Sequence, residues 1–368
     1  MSATAVGTAA VPAPGDRGPG LPAPWTARAF AAVDAHLTAE MATLDRSGTP
    51  VAWPVVVLPD PTTGHLTVTT SIGLPVKALN VRRDGRVCLL FSDATGSADP
   101  GAPQVLVTGR ATCPDVVHAD PRGLEEYWRR LFVRQPAGES NSARPLRRLM
   151  GWYYLRLVIT VVPDTVEVRP ALPVASASAP VAPGTRRTRS RRRRGGTPEE
   201  QLRAVLVRDG HRTAVLSWPR PDGAPRSVRV LLPEGPAGGG AGGGLVITVP
   251  QDEDVQEGPA TLLAHSHDEL LWNQRVTGAW GTVRRTGDGW RFTPERLAGE
   301  FPTSPLGVLA FARRSRATAQ RYLQRRGLPR PAVAWDEYEA LHAVRPARGR
   351  RSSPAWVDPR EHREPWVR

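Results

Sequence analysis

Short apolar runs of period two, separated by turn residues, dominate this chain and predict strands, with only a few stretches of helical period among them. Residues 25–39 (WTARAFAAVDAHLTA) predict a short amphipathic helix. A strand is expected at 40–45, a turn at Asp45-Arg46-Ser47-Gly48, and a strand at 50–58 in which Pro54 marks an edge or bulge. Gly64 opens a strand at 65–70, a helical turn follows at 74–83, and strands follow at 86–91 and 104–112. A helical insert is expected over 121–134 and 144–151, and strands at 152–162 and 165–169 close the unit.

The pattern then restarts. Thr197-Pro198-Glu199-Glu200 is a capping box with proline at the first helical position, and Gly210 stops the helix. A strand at 212–218 leads to Gly223-Ala224-Pro225, which echoes Gly48-Thr49-Pro50, and the strand 227–232 answers Val51–Leu58. Leu245–Val249 answers Leu66–Thr70, and Gly258–Leu263 answers Gly85–Leu90. Val276-Thr277-Gly278 answers Val107-Thr108-Gly109, and Thr293–Arg296 answers Val162–Thr165. The common order predicts a tandem duplication in a mainly β protein. The first unit is expected at 25–170 and the second at 197–300, joined by a Pro/Ala/Arg-rich linker at 171–196. A helical segment is expected at 301–344, with disordered tails at 1–24 and 345–368.

Charge changes this picture less than its total suggests. The net charge of +14 over 368 residues resembles a nucleic-acid signature. Yet seven arginines lie in 186–194 (RRTRSRRRR), and residues 345–368 carry a net +4, which leaves +3 for the rest. The folded parts are nearly balanced, so any polyanion contact is expected through the Arg-rich linker. The longest aliphatic run, 157–162, is too short to cross a bilayer, and the N-terminal stretch lacks the basic start and apolar core of a signal peptide. A cytoplasmic location without membrane contact is expected. Cys88 and Cys113 predict reduced thiols, and neither they nor His265-Ser266-His267 makes a convincing metal set. Gly238–Gly244 is glycine-rich, but no Lys-Ser/Thr follows as a phosphate loop requires.

One residue stands out. Of the 49 basic side chains, Lys77 is the sole lysine. It follows Thr69-Thr70-Ser71 at a strand end and precedes Asn80, Arg82 and Arg83. Hydroxyl donors, free strand-end amides and a compact ammonium together suit a phosphate. The corresponding segment of the second copy, Pro250–Glu257, has four acids and no base, which predicts a structural second unit.

The stretch ATLDRSGTPVAWPVVV, then TTSIGLPVKALNVRRDGRVCLLF and VLVTGRAT, resembles the pyridoxamine 5'-phosphate oxidase-like family over roughly residues 30–170, with a weaker echo over 200–300. The resemblance implies two tandem split β-barrels, antiparallel and of Greek-key type, with peripheral helices. It implies a bound FMN or deazaflavin and an oxidoreductase acting on a small-molecule substrate. Thr69, Thr70, Ser71, Lys77, Asn80, Arg82 and Arg83 would hold or flank the cofactor phosphate. Trp53, Pro54 and Val55 would lie against the ring. Family members bind their cofactor between two barrels of a dimer, so this chain would supply that interface as an intramolecular pseudo-dimer, with further dimerisation open. The proline in the ring-facing strand and the long insert 114–150 depart from the family pattern. A non-catalytic module, holding haem, another tetrapyrrole or nothing, and nucleic-acid association through 186–194 remain the alternatives.

Overall fold

The computed structural model describes residues 20–135, 146–171, 196–233, 243–298 and 304–343, apart from positions 98, 100, 270, 272, 273 and 288. The Arg-rich run 186–194, most of the glycine run 238–244 and the C-terminal tail lie outside the described residues. The first sheet comprises β1 (Ala39–Leu44), β2 (Pro50–Val55), β3 (Val57–Pro59), β4 (Leu66–Ser71), β5 (Arg86–Phe91), β6 (Gln104–Thr112) and β7 (Arg156–Arg169). The second comprises β8 (Thr213–Pro219), β9 (Pro225–Leu231), β10 (Leu245–Ile247), β11 (Gly258–Ser266), β12 (Arg275–Thr286) and β13 (Gly289–Leu297). Seven helices accompany them among the described residues: α1 (Ala27–Ala35), α2 (Val76–Arg83), α3 (Glu125–Arg134), α4 (Arg147–Tyr154), α5 (Pro198–Asp209), α6 (Pro305–Gln324) and α7 (Trp335–Ala343). The expected capping box is formed at α5, with Thr197 and Glu200 bonded reciprocally.

Strand order establishes the duplication. The first sheet runs β2-β1-β5-β6-β7-β4-β3, and the second, taken from its other edge, runs β9-β8-β11-β12-β13-β10. These are the same path, with β3 added at one edge and every pairing antiparallel. The architecture is therefore two tandem split barrels with peripheral helices. Each copy also carries the same bulge. In the first, the register shifts between Thr108 and Gly109, opposite Pro163; in the second, between Trp280 and Gly281, opposite Pro294. A Cβ on Gly109 would collide with the Val162 carbonyl, and one on Gly281 with the Thr293 carbonyl. The partner of Val107-Thr108-Gly109 is thus Ala279-Trp280-Gly281, three residues beyond the expected Val276-Thr277-Gly278. Sequence similarity matched the wrong Gly because Gly278 follows a Val-Thr pair, whereas only the backbone crowding at the bulge identifies Gly281.

A second expectation is corrected at the end of the insert. Residues 152–154 belong to α4 and not to a strand, and β7 then runs without a break to Arg169. The helix sends Trp152 toward Phe311 of α6 and stacks Tyr154 on Trp128, contacts that outweigh the strand preference of a Trp-Tyr-Tyr run.

The first core is closed partly by a helix that follows the second copy: Ala319, Tyr322 and Leu323 of α6 join it. Between the sheets, Ala42, Ala52, Cys88, Leu90 and Leu106 meet Val215 and Leu263. Within this seam Glu40 is fully buried, 2.8 Å from Arg229 and 2.6 Å from His265. Burial alone would raise the Glu40 carboxyl, but Arg229 and the His265 hydrogen bond hold it below the usual carboxylate range. A second bridge joins Glu167 and Arg169 of β7 to Arg226 and Glu253 of the other copy.

Glu40→Ala leaves the Arg229 guanidinium buried without its carboxylate. A loss of about 3–5 kcal/mol in chemical denaturation is expected, and a loss below about 1 kcal/mol would show that the seam tolerates the unpaired charge.

Candidate functional site

The sequence-singled residues divide into two groups around α2. Arg82 donates to the carbonyls of Cys113 and Pro114 at 2.7 Å, pairs with Asp115 and reaches the Tyr322 hydroxyl at 2.9 Å. Asn80 donates to Thr43 at 3.0 Å and accepts from Arg83, which also donates to the Leu44 carbonyl. The donors of Asn80, Arg82 and Arg83 are thus directed at β1, the end of β6 and α6. Thr70 donates to the Leu74 carbonyl at 2.9 Å, and Ser71 to the Trp152 carbonyl at 2.5 Å. Asn80, Arg82 and Arg83 tie α2 to its neighbours, whereas Thr70 and Ser71 fasten the end of β4 to the following turn and to α4. The three helical side chains do not converge on a common point, because a helix of eight residues distributes its side chains around its axis.

Lys77 and Thr69 lie elsewhere. The Lys77 ammonium stands 5.6 Å over the Trp53 ring. Trp53 and Pro54 sit half-buried on β2, an edge strand, where a missing amide is tolerated. Val55 turns into the barrel core. Trp53, with Val51 and Ala52, lines a cleft between the copies, walled opposite by Leu262, Leu263, Ala279 and Trp280. The cleft as it stands has about 20 Å³ of free volume, room for one water.

Sequence reasoning missed the residue that makes this region unusual. Arg156, at the start of β7, is 7% exposed, and its Nε and Nη2 have no hydrogen-bond partner. Its guanidinium lies 4.1 Å from the Tyr153 ring centroid and 4.9 Å from that of Trp128. Thr69 Oγ1 and Trp53 Nε1 are likewise buried without partners. Burial and the charge of Arg156 push the Lys77 ammonium down to about 8. Among the described residues neither cation has a carboxylate within ion-pair distance. The signal was present as a single charge inside the apolar run LRLVITVV, where a buried arginine demands a reason.

Two cations, a buried hydroxyl and the surrounding aromatic rings are the groups here that could meet an anion. The donor set fits a phosphate. The cleft beside Trp53 does not admit a tricyclic ring at its present width, so the residues fit the anionic end of a flavin-type cofactor but not yet its ring. The second copy has no equivalent: where α2 would stand, Glu253 serves the seam, bonded to Arg169 and Arg226. His265 and His267 are occupied by Glu40 and by Thr38 with the Asp268 carbonyl. No group of three or more metal-ligating side chains is placed to hold an ion among the described residues. Cys88 and Cys113 are buried and free, and no described helix is long and apolar enough to cross a membrane.

No family model and no curated protein matches the sequence. Solved structures do match. A conserved hypothetical protein from Mycobacterium tuberculosis is 21% identical and covers 40% of this chain and 86% of its own, with a TM-score of 0.29. A Clostridium acetobutylicum protein of the pyridoxinephosphate oxidase family is 12% identical over 38% of this chain and 84% of its own, with a TM-score of 0.27. An F420 reductase is 17% identical over 37% of this chain and 94% of its own, with a TM-score of 0.24. At this level the likeness concerns fold alone.

The Lys77 environment has a stability signature. With a folded pKa near 8 and a free-lysine value of 10.5, the unfolded chain holds the extra proton between those limits, so wild-type stability rises over that range. Lys77→Met should be more stable than wild type at pH 7, with the difference shrinking toward pH 10. Parallel urea titrations at the two pH values read this directly, and a pH-independent difference would place the ammonium in water.

Proposed function

We propose that the first barrel binds a phosphate-bearing flavin-type cofactor, FMN or a deazaflavin, and that the protein is an oxidoreductase acting on a small molecule. The observation that carries this reading is a pair of cations within electrostatic reach of each other, Lys77 and Arg156, neither of them ion-paired with a carboxylate among the described residues. Like charges held together in a partly buried site are costly unless a ligand supplies the counter-charge. The resemblance around TTSIGLPVKALNVRRD supports the choice of cofactor class.

In this reading Lys77, Arg156 and Thr69 hold the phosphate. Trp53 stands between the phosphate and the inter-copy cleft, and the second barrel forms the far wall. When bound, the cofactor supplies the redox chemistry. The chain's own residues bind and orient it and exclude water. The second barrel serves as the built-in partner of a pseudo-dimer and needs no phosphate site of its own.

Absorbance titration of the purified protein with FMN, with a deazaflavin and with haemin tests the assignment. Saturable flavin or deazaflavin binding is expected, weakened at least ~10-fold by Lys77→Ala, since hydrogen bonds to charged groups contribute about 1.5–3 kcal/mol. Affinity should also fall as pH rises above 8, where the unliganded ammonium loses its proton. A Soret band with haemin and no response to either flavin would reverse the reading in favour of a tetrapyrrole module.

A further inference from the structure

Arg156 shares the Trp128 ring with a donor that belongs to neither sheet. Tyr338, on α7, is fully buried, and its hydroxyl has no hydrogen-bond partner. Its ring packs edge-on against Trp128 at 4.8 Å and against Tyr154 at 4.9 Å. Trp128 is also one of the rings flanking the Arg156 guanidinium, and its own Nε1 is buried without a partner. Around one indole ring, therefore, β7, α3 and α7 place Arg156 Nε and Nη2, Trp128 Nε1 and Tyr338 Oη, all lacking an acceptor. Buried donors are ordinarily satisfied, and leaving one unmade costs about 1–3 kcal/mol. Burial drives the phenol well above its usual range, against the opposing charge of Arg156, so it stays a donor at neutral pH. The acids that reach Tyr338 electrostatically, Asp120 and Glu337, are both held by Arg122 at the rim, at 3.9 and 2.9 Å.

We propose that Tyr338 donates its hydroxyl to the same bound oxyanion that Arg156 neutralises, so that the C-terminal helix α7 completes the ligand site of the first barrel. The inference rests on the anion-site reading given above and adds a ligand-contacting residue from outside the barrel. It distinguishes a ligand donor from a packing residue by a stability–affinity contrast. A tyrosine present for packing alone loses nothing in affinity when its hydroxyl is removed. A donor kept for a ligand destabilises the free protein, so its removal strengthens the fold and weakens the complex.

The test compares wild type, Tyr338→Phe and Lys77→Met, each as the full chain, by calorimetric titration with inorganic phosphate and with FMN and by thermal melting without ligand. Tyr338→Phe is expected to bind at least one probe about 5- to 10-fold more weakly, while its ligand-free melting temperature equals or exceeds that of wild type. Unchanged affinity in Tyr338→Phe alongside weakened binding in Lys77→Met overturns the role of Tyr338 and leaves the anion site standing. A lower melting temperature for Tyr338→Phe also overturns it, because the hydroxyl then has a structural partner. A wild-type protein that binds neither probe removes both readings together.

Discussion

The fold depends on a carboxylate buried between the two sheets and held in its charged form by the partners around it. Glu40 is buried where the two sheets meet, and Arg229 and His265, both from the second copy, surround it. Apolar contact between the copies, which sets Ala42, Ala52, Leu90 and Leu106 against Val215 and Leu263, is non-directional. The ion pair supplies direction: only one relative placement satisfies both charges. That placement brings Trp53 on an edge strand up to the opposite wall of Leu262 and Trp280 and so defines the cleft on which the candidate site borders.

Duplication and later divergence explain why the two halves share a path but not a chemistry. The strand order and the Gly-Pro bulge recur in both, as requirements of closing such a barrel. The halves part company after β4 and its counterpart β10. In the first half, helix α2 carries Lys77 toward Trp53 and uses its remaining polar side chains as anchors. In the second half the same stretch is an acidic loop, and Glu253 is drawn into the seam by Arg169 and Arg226. The second half thus has a carboxylate in the seam where the first half has a helix bearing a lysine.

Much of the fold was legible in the sequence because β alternation and turn residues are local signals. The ranges 86–91 and 104–112 coincide with β5 and β6, and the capping box placed α5. The helical state of Trp152–Tyr154 was not legible, since it depends on Trp128 and Phe311, which are distant in sequence. The candidate site was half legible. Lys77 announced itself as the single lysine, whereas the hydrogen bonds of Asn80, Arg82 and Arg83 to β1, the segment after β6 and α6 have no signal in the sequence. Arg156 and Tyr338 lie about 80 and 260 positions beyond Lys77 in a chain of 368, and only three-dimensional folding brings β7 and α7 to it.

The first barrel is finished by α6 and α7. Leu323 of α6 lies in its core and Tyr338 of α7 in the aromatic cluster beneath α3, although a whole second barrel intervenes in the chain. Order along the chain and order in space are therefore opposed: residues that follow the second barrel cover the interior of the one that precedes it. The interior of the first barrel is thereby tied to α6 and α7, and the second barrel becomes, in effect, an insertion within the structure it supports.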